Sequence, residues 1–557
     1  MNNSQIADQF SLLARLMDLH GENSFRSKSY SSIAYNIERL PREIVEMDDA
    51  ELFSIKGIGE STGHKIRDMI ATGRFAQLDE MIAQTPAGIL EMMQIKGLGP
   101  KKIAVIWHEL GIESVGELEY ACNENRLTAL KGFGAKTQDA ILESIAYIRQ
   151  NQGFHLWAEA MPFAHSLLAA LQATFDDCRF STTGALRRQC EVIEYIDIIT
   201  DAPGNEIAEA LQEMPGAELL DSDDGLLGLR MEGMPPIRVH LANAVSYWQR
   251  LFETTGSDDF MAAFKEKYRI PASPGSEEEI FTANGLQPVL PACRETATAL
   301  TAVPADVIQP GDIKAIIHSH STWSDGQHTL EQMALAARDK GFEYLVISDH
   351  SQTASYAGGL KPDRVAAQHQ EIDALNARLA PFKIFKSIES DILADGSLDY
   401  SPQVLHTFDL VIASVHSNLK MTEEKAMERV LAAVRNPFTT ILGHPTGRLL
   451  LSRPGYPLDH KKLIDECVAN NVVIEINAHP RRLDMDWRWI AYAMERGALL
   501  SVDPDAHSVD GFKDTFYGIM VAQKGGLTAA RNLSSYSLAA FEIFLQKYKA
   551  KVAAGGA

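Results

Sequence analysis

Histidines and carboxylates recur at short intervals through the C-terminal part of this 557-residue chain. His318-Ser-His320 is followed by Asp325, then come Ser348-Asp-His350, Glu389 with Asp391 close behind, His416, His444 and finally Asp505-Ala-His507. Imidazole and carboxylate without thiolate form a ligand set suited to zinc, manganese or iron. A lone histidine at a strand end is ordinarily a satisfied hydrogen-bonding group, but this series exceeds what one ion needs. Two or three divalent ions sharing a bridging carboxylate would use it, and such a centre both activates water and clamps a phosphate.

Residues so far apart in sequence need elements that bring them together. Short apolar runs recur: Ala315-Ile-Ile, Tyr344-Leu-Val-Ile, Phe382-Lys-Ile-Phe, Leu410-Val-Ile-Ala, Thr440-Ile-Leu, Val472-Val-Ile-Glu-Ile and Leu499-Leu-Ser-Val. They alternate with helix-like segments such as 330–340 and 423–434, which predicts a closed parallel barrel, (β/α)7, over 313–557. A doubly wound open sheet is the competing architecture. In a parallel barrel the carboxyl ends of the strands open on one face, so candidates that follow six of the seven runs converge on one pocket.

Residues 1–150 read as helical, with apolar residues at helix spacing in Ser11-Leu-Leu-Ala-Arg-Leu-Met17. Within them Ile55-Lys-Gly-Ile-Gly59, Ile95-Lys-Gly-Leu-Gly99 and Leu130-Lys-Gly-Phe-Gly134 repeat one form, apolar-Lys-Gly-apolar-Gly, each ahead of a helix-like segment. Residues 151–300 mix helical stretches (164–173 and 206–213) with strand candidates at 191–200 and 237–241, an α/β texture. A Pro-containing stretch over 301–312 reads as a linker.

With 45% hydrophobic and 23% charged residues the chain can bury large cores. Against 52 Lys and Arg stand 74 Asp and Glu, a formal net charge of −22. Bulk electrostatics will not hold such a molecule to a polyanion, so any nucleic-acid contact must be local. Five scattered cysteines without a C-x-x-C pair point to a reducing compartment. The N-terminus lacks signal-peptide character and no long apolar run occurs, so the expectation is a soluble cytoplasmic protein with no membrane contact.

The motifs also carry a resemblance. His318-Ser-His-Ser-Thr-Trp-Ser-Asp-Gly326, Ser348-Asp-His-Ser351, Glu389-Ser-Asp391, Ser414-Val-His-Ser417, Gly443-His-Pro-Thr-Gly-Arg448 and Asp505-Ala-His507 resemble the PHP (polymerase and histidinol phosphatase) domain, in the version fused to bacterial family X DNA polymerases. The resemblance implies three divalent ions, manganese, zinc or iron, liganded by His318, His320, Asp325, His350, Glu389, His416, His444, Asp505 and His507, with Glu389 bridging. It further implies phosphodiester hydrolysis, as a 3′-5′ exonuclease or an abasic-site endonuclease. Arg448 is a candidate for meeting a substrate phosphate, with a structural ion pair as the alternative.

Upstream, Gly184-Ala-Leu-Arg-Arg188 and Tyr195-Ile-Asp197 are similar to the nucleotidyltransferase-like palm of family X, which is followed by a thumb. In that family three palm carboxylates hold two magnesium ions. Here Tyr195 stands at the first, and counting back from Thr255-Gly-Ser257 puts Arg238 at the third, or His240 after a register shift of two. Only Asp197 remains. A cation in place of oxygen ligands argues against magnesium and for a degenerate polymerase site.

The glycine repeats resemble helix-hairpin-helix motifs. In these, pairs such as Gly57 and Gly59, Gly97 and Gly99, and Gly132 and Gly134 bring backbone N–H groups at a helix start against a DNA phosphate. Lys101, Lys102 and Lys136 follow the second and third pairs and could add phosphate contacts; plain α-hairpin connectors are the alternative. The first 150 residues carry 16 basic and 21 acidic side chains, so affinity should be modest. The 22–30 segment resembles the opening of the family X lyase domain, and Lys65 falls at its Schiff-base lysine. Ser61 and His64 depart from the usual basic flank, which favours an ordinary exposed helix lysine.

The expectation is therefore a three-part protein acting on DNA ends, gaps or abasic sites in repair, with the barrel as the working phosphodiesterase and the polymerase centre lost. An active gap-filling polymerase with an attached nuclease and a non-catalytic DNA-binding scaffold are the competing readings. The oligomeric state is open.

Overall fold

The computed structural model describes every residue except 41, 125, 131, 221–224, 232–233, 303, 305 and 556–557, and the side chains of 129, 302, 554 and 555. Lys131 of the third glycine repeat, and Val303 and Ala305 of the expected linker, lie outside the described residues. The chain forms two compact units, Met1–Gln152 and Gly153–Ala557. Among the described residues no helix is long and apolar enough to cross a membrane.

The first unit is helical throughout, from Asn3–Leu19 to Ala135–Gln150. Ile6, Phe10, Leu13 and Met17 recur at helical spacing and are fully buried, so the first helix turns one apolar face to the core. The glycine repeats make three similar turns. Gly57, Gly97 and Gly132 have φ of +92°, +85° and +90°, a region costly to any residue with a Cβ. Gly59, Gly99 and Gly134 then cap the helices Glu60–Thr72, Pro100–Leu110 and Ala135–Gln150 without a side-chain hydrogen bond. Between the glycines, Ile58, Leu98 and Phe133 are buried and pin each turn to the core.

The second unit begins with a five-stranded sheet in the order Phe180–Thr182, Ile196–Thr200, Ile237–Leu241, Leu226–Met231, Ala217–Leu219. The central pair is parallel, with Asp197 opposite Arg238 and Ile199 opposite His240. The single strand expected over 191–200 is instead broken: Val192–Ile193 pairs with His155–Leu156, and Ile196–Thr200 enters the main sheet. A helical thumb follows around Phe252, Phe260, Phe264 and Phe281. The expected linker is no free tether among its described residues. Ile308 is buried and its N–H donates to Leu527 O (2.8 Å), so the apolar Val307-Ile308 pair docks on the barrel despite the flanking prolines.

Seven parallel strands then close a (β/α)7 barrel. Ala315–Ser319, Tyr344–Ile347 and Lys383–Lys386 are hydrogen-bonded in that order, as are Glu389–Asp391, Ile412–Ser414, Ile441–Leu442, Val473–Asn477 and Leu500–Asp503. Lys383–Lys386 and Glu389–Asp391 are two halves of one bent third strand; bridges His350 to Glu389 and Ser319 to Ala506 complete the ring. Alternation sorts the side chains. Ile316, Leu345 and Ile384 pack with Leu330, Met333 and Ala337 of the helix Leu330–Asp339, whereas Ala315, Ile317, Val346, Ile412 and Val473 pack together with Phe541 from the C-terminal helix.

The barrel is joined to the palm and thumb by buried contacts. Met520, on the helix Thr515–Lys524, belongs to the palm core, and Tyr517 packs edge-on against Trp157. Lys524 has a fully buried side chain paired with Glu295 (2.5 Å), and Arg488 reaches Glu191 (2.9 Å).

Candidate functional site

The strand ends of the barrel gather His318, His320, Asp325, His350, Glu389, His416, His444, Asp505 and His507 into one cluster. His320, Asp325, His350 and His507 offer ligand atoms within 4.8 Å of one another; His318, His320 and Asp505 form a second such group and His350, Glu389 and His416 a third. Glu389 lies at the centre. Its Oε1 is 2.9 Å from His444 Nε2, 3.0 Å from His416 Nε2 and 3.4 Å from His318 Nε2. Its Oε2 is 2.9 Å from His350 Nδ1 and 3.7 Å from His320 Nε2.

Backbone geometry turns these side chains inward. His318, His444 and Asp505 have φ of +59°, +22° and +52°, conformations that cost a non-glycine residue roughly 1–3 kcal/mol and gather at functional sites. Ala506, next to Asp505, ties that turn to the first strand, its N–H donating to His318 O and its carbonyl accepting from His320 N–H, and His444 N–H donates to Glu475 Oε1 (3.2 Å).

The atoms suit cations. His318 Nε2, His320 Nδ1 and His444 Nδ1 are buried without a hydrogen-bond partner among the described residues, and His350 Nδ1 and Glu389 Oε2, though 2.9 Å apart, are not aligned for a hydrogen bond. Unpaired buried polar atoms cost about 1–3 kcal/mol each, so their concentration here fits a site whose remaining partners are divalent ions. Burial, with His507 and His350 alongside, pushes His320 down to about 3, so its ring is neutral, as a ligand must be. Burial alone would raise the Glu389 carboxyl, but His416, His318 and His350 together hold it well below its ordinary range.

Two acids behind the cluster orient its rings. Glu475 Oε2 lies 2.6 Å from His318 Nδ1, and Asp391 Oδ1 lies 2.5 Å from His416 Nδ1, which leaves each Nε2 facing Glu389. Glu475 was hidden inside the apolar run of the sixth strand, the one run with no candidate after it. Its signal is an acid at an alternate position of an otherwise apolar strand. Asp349, fully buried, accepts from the Ser321 and Ser324 backbone N–H groups and from the Ser321 hydroxyl, fixing the loop that carries Asp325.

The arginines divide differently from expectation. Arg448 donates to Asp486 (2.6 Å) and to the carbonyls of Arg482 and Leu483, so its guanidinium is taken up in the structural ion pair that was the alternative reading. Arg482, not singled out from sequence, has its Nε 3.8 Å from Asp505 Oδ2 and remains partly exposed beside the cluster.

In the palm, Arg238 grips Asp197 with two hydrogen bonds (2.7 and 2.9 Å), and His240 Nε2 approaches the same carboxylate at 3.0 Å. The Tyr195 ring lies against the Arg238 guanidinium, 3.9 Å from its centroid. Burial would raise Asp197, but His240 and Arg238 outweigh it and hold the carboxyl below its ordinary value. Glu191 is engaged by Arg488 and Glu194 is exposed, so neither stands in for a missing acid beside Asp197. Tyr195, Asp197, Arg238 and His240 line a cavity of about 620 Å³ with Gly184, Arg188 and Thr254.

In the first unit, Gly57, Gly59, Gly97, Gly99, Gly132 and Gly134 are all exposed, as are Lys101 and Lys136; Lys102 is half-buried, its ammonium 5.7 Å from the centre of the Phe133 ring. Lys65 is not the exposed helix lysine expected. It is half-buried and donates to Tyr30 Oη (2.8 Å) and Gln77 Oε1 (3.0 Å), partners distant in sequence that helix packing brings to it.

Comparison with known proteins bears on each part. A helix-hairpin-helix domain matches residues 1–75, a SAM-like helix-hairpin-helix tandem 89–146 and a PHP domain 317–479. The chain is 33% identical to the DNA polymerase/3′-5′ exonuclease PolX of Bacillus subtilis, over 98% of its own length and 100% of the relative. It is 28% identical to a probable phosphatase of Acetivibrio thermocellus over 29% of its length and 64% of the relative. Probable phosphatase YcdX of Escherichia coli is 27% identical over 34% of the chain and 78% of that protein.

Proposed function

Because the chain belongs to the PolX family, in which helix-hairpin-helix regions and a PHP domain share one chain, we propose that it is a DNA-acting phosphodiesterase that works through its barrel and has lost nucleotidyl transfer. The observation that carries this reading is the contrast between an acid cluster with partnerless ligand atoms and an Asp197 already neutralised by Arg238.

Three divalent ions would be held by His318, His320, Asp325, His350, Glu389, His416, His444, Asp505 and His507, with Glu389 shared. Such ions, manganese foremost, lower the pKa of a water and neutralise charge developing on a phosphate. The chain's own contributions are positional. Glu475 and Asp391 fix ring orientation, Asp349 fixes the Asp325 loop, and Arg482 adds a cation where a phosphodiester would lie. The three glycine turns offer backbone N–H groups to strand phosphates with little need of net positive charge. Substrates are 3′ ends, gaps or abasic sites, in the setting of DNA repair in the cytosol. Lys65, which donates to Tyr30 Oη and Gln77 Oε1, is assigned no lyase role in this reading.

The test is metal analysis of the purified full chain, followed by assay on 3′-ended, abasic and gapped DNA with manganese. Expected are bound metals, degradation lost on His318→Ala, and no templated extension. Intact DNA beside a full metal complement would sink the nuclease reading. A second reading, an active gap-filling polymerase, is favoured by the Bacillus relative, a DNA polymerase/3′-5′ exonuclease, and by the retained palm sheet. Magnesium-dependent extension that disappears on Asp197→Ala would establish it.

A further inference from the structure

The loop after the second barrel strand is built as a rigid bracket. Ser351 bridges Leu360, Leu360 N–H donates to His350 O (2.9 Å), and Arg364 holds Gly358 O (2.8 Å). Gly359 runs so close to Ser351 that a Cβ there would lie 1.9 Å from its carbonyl oxygen. Ala354, Ala357 and Leu360 are buried, yet Tyr356 between them is 66% exposed. Its ring centre is 6.3 Å from that of His350, itself one of the cluster. Arg482 approaches Asp505 on the same cluster (3.8 Å).

A single exposed aromatic needs no explanation on most surfaces. This one is held out by a fixed loop, at the edge of a centre suited to phosphodiesters, and offers a flat π face where a nucleic-acid strand would carry a base. We propose that Tyr356 is a stacking platform for the 3′-terminal base of a DNA strand whose phosphodiester reaches the cluster. The inference rests on the phosphodiesterase reading and sharpens it: the substrate is a nucleotide-bearing end, accepted with little regard to base identity because every base has a π face. A small phosphate ester lacking a base forgoes this contact.

The test uses two short single strands, one ending 3′ in thymidine and one ending in a base-less tetrahydrofuran residue. Stacking on one aromatic side chain predicts that the full-length protein prefers the base-bearing end by about 5- to 150-fold in kcat/KM. Tyr356→Ala should bring that ratio close to one, while Tyr356→Phe and Tyr356→Trp preserve it. Equal ratios for the parent and Tyr356→Ala overturn the proposal, as does loss of the ratio in Tyr356→Phe, which would assign the effect to the hydroxyl. Fluorescence anisotropy of the same strands under chelator supplies a readout independent of turnover, and glycine-turn contacts to the backbone cancel between them. If neither strand is cleaved but Tyr356-dependent preference in binding persists, the phosphodiesterase reading fails and the stacking stands. If both ends are cleaved at one rate, the stacking fails and the phosphodiesterase stands.

Discussion

Glu389 and Asp197 are buried carboxylates in the same compact unit, and their surroundings treat them in opposite ways. Glu389 is ringed by five imidazoles on four strand ends, several of them with a nitrogen that has no hydrogen-bond partner among the described residues. Asp197 is closed off by Arg238, backed by Tyr195 and flanked by His240. Acid alone therefore does not make an ion site. A carboxylate whose charge is met by a guanidinium, which cannot give up its proton, has little left to offer a divalent ion, whereas one facing imidazoles, which become ligands once they release theirs, can share it.

The contrast can be broken most forcefully at Glu389. Glu389→Gln should deplete metal from the purified protein and cut phosphodiester cleavage by more than about 100-fold, since outer-shell partners alone are worth roughly 10- to 100-fold. Metal analysis beside a rate assay decides it, and unchanged content and rate would erase the distinction between the centres.

On the palm side the largest effect falls on folding rather than chemistry. Glu277 is buried between Arg187 and Arg294 (2.6 Å each), so Glu277→Ala leaves two guanidiniums unpaired and should cost about 3 kcal/mol in denaturant unfolding. Burial raises this carboxyl, but Arg187 and Arg294 outweigh it and hold it below its ordinary 4.5. The folded group is thus the stronger acid; its stabilisation is complete above the unfolded value and fades as pH falls below about 4.5. Thermal melts of the parent should lose stability through that range, and Glu277→Gln should flatten the slope.

A smaller loss is expected behind the cluster. Glu475→Gln keeps a hydrogen-bond acceptor but weakens the hold on His318, for about a 10- to 100-fold drop in metal affinity or rate, measured by competition with a chelator. Smallest is a gain. Tyr195→Asp with Arg238→Asp returns oxygen ligands beside Asp197 and should allow weak magnesium-dependent primer extension, seen on a gapped duplex. Arg238→Ala alone, which removes the cation without adding a ligand, should not.

Much of this was legible in the amino-acid order. The barrel's alternating apolar runs and the residues after them follow a local rule, strand then ligand, and the structure brings those residues together. That a basic residue, Arg238 or in a shifted register His240, would stand near Asp197 follows from a short count back from Thr255; that both side chains reach its carboxylate does not. What escaped detection depends on distant partners. Glu475 looks like a blemish in a core strand until His318, 157 positions away, is folded against it. Which arginine is available near a phosphate is decided by Asp486, 38 positions from Arg448. Lys65 could be read as exposed because Tyr30 and Gln77 belong to other helices.

The contact between barrel and palm has a consequence for how this gene product can change. A cut near residue 300 would not release a self-sufficient cartridge: Lys524 would keep its charge in an emptied socket once filled by Glu295, and Met520 would be stripped of its neighbours. Whatever the palm does with nucleotides, it serves as part of the barrel's wall. Tyr195 and Arg238 can therefore drift from any polymerase requirement while Glu295, Glu191 and Trp157 stay answerable to the domain next door. A module can outlive its own chemistry when another module leans on it.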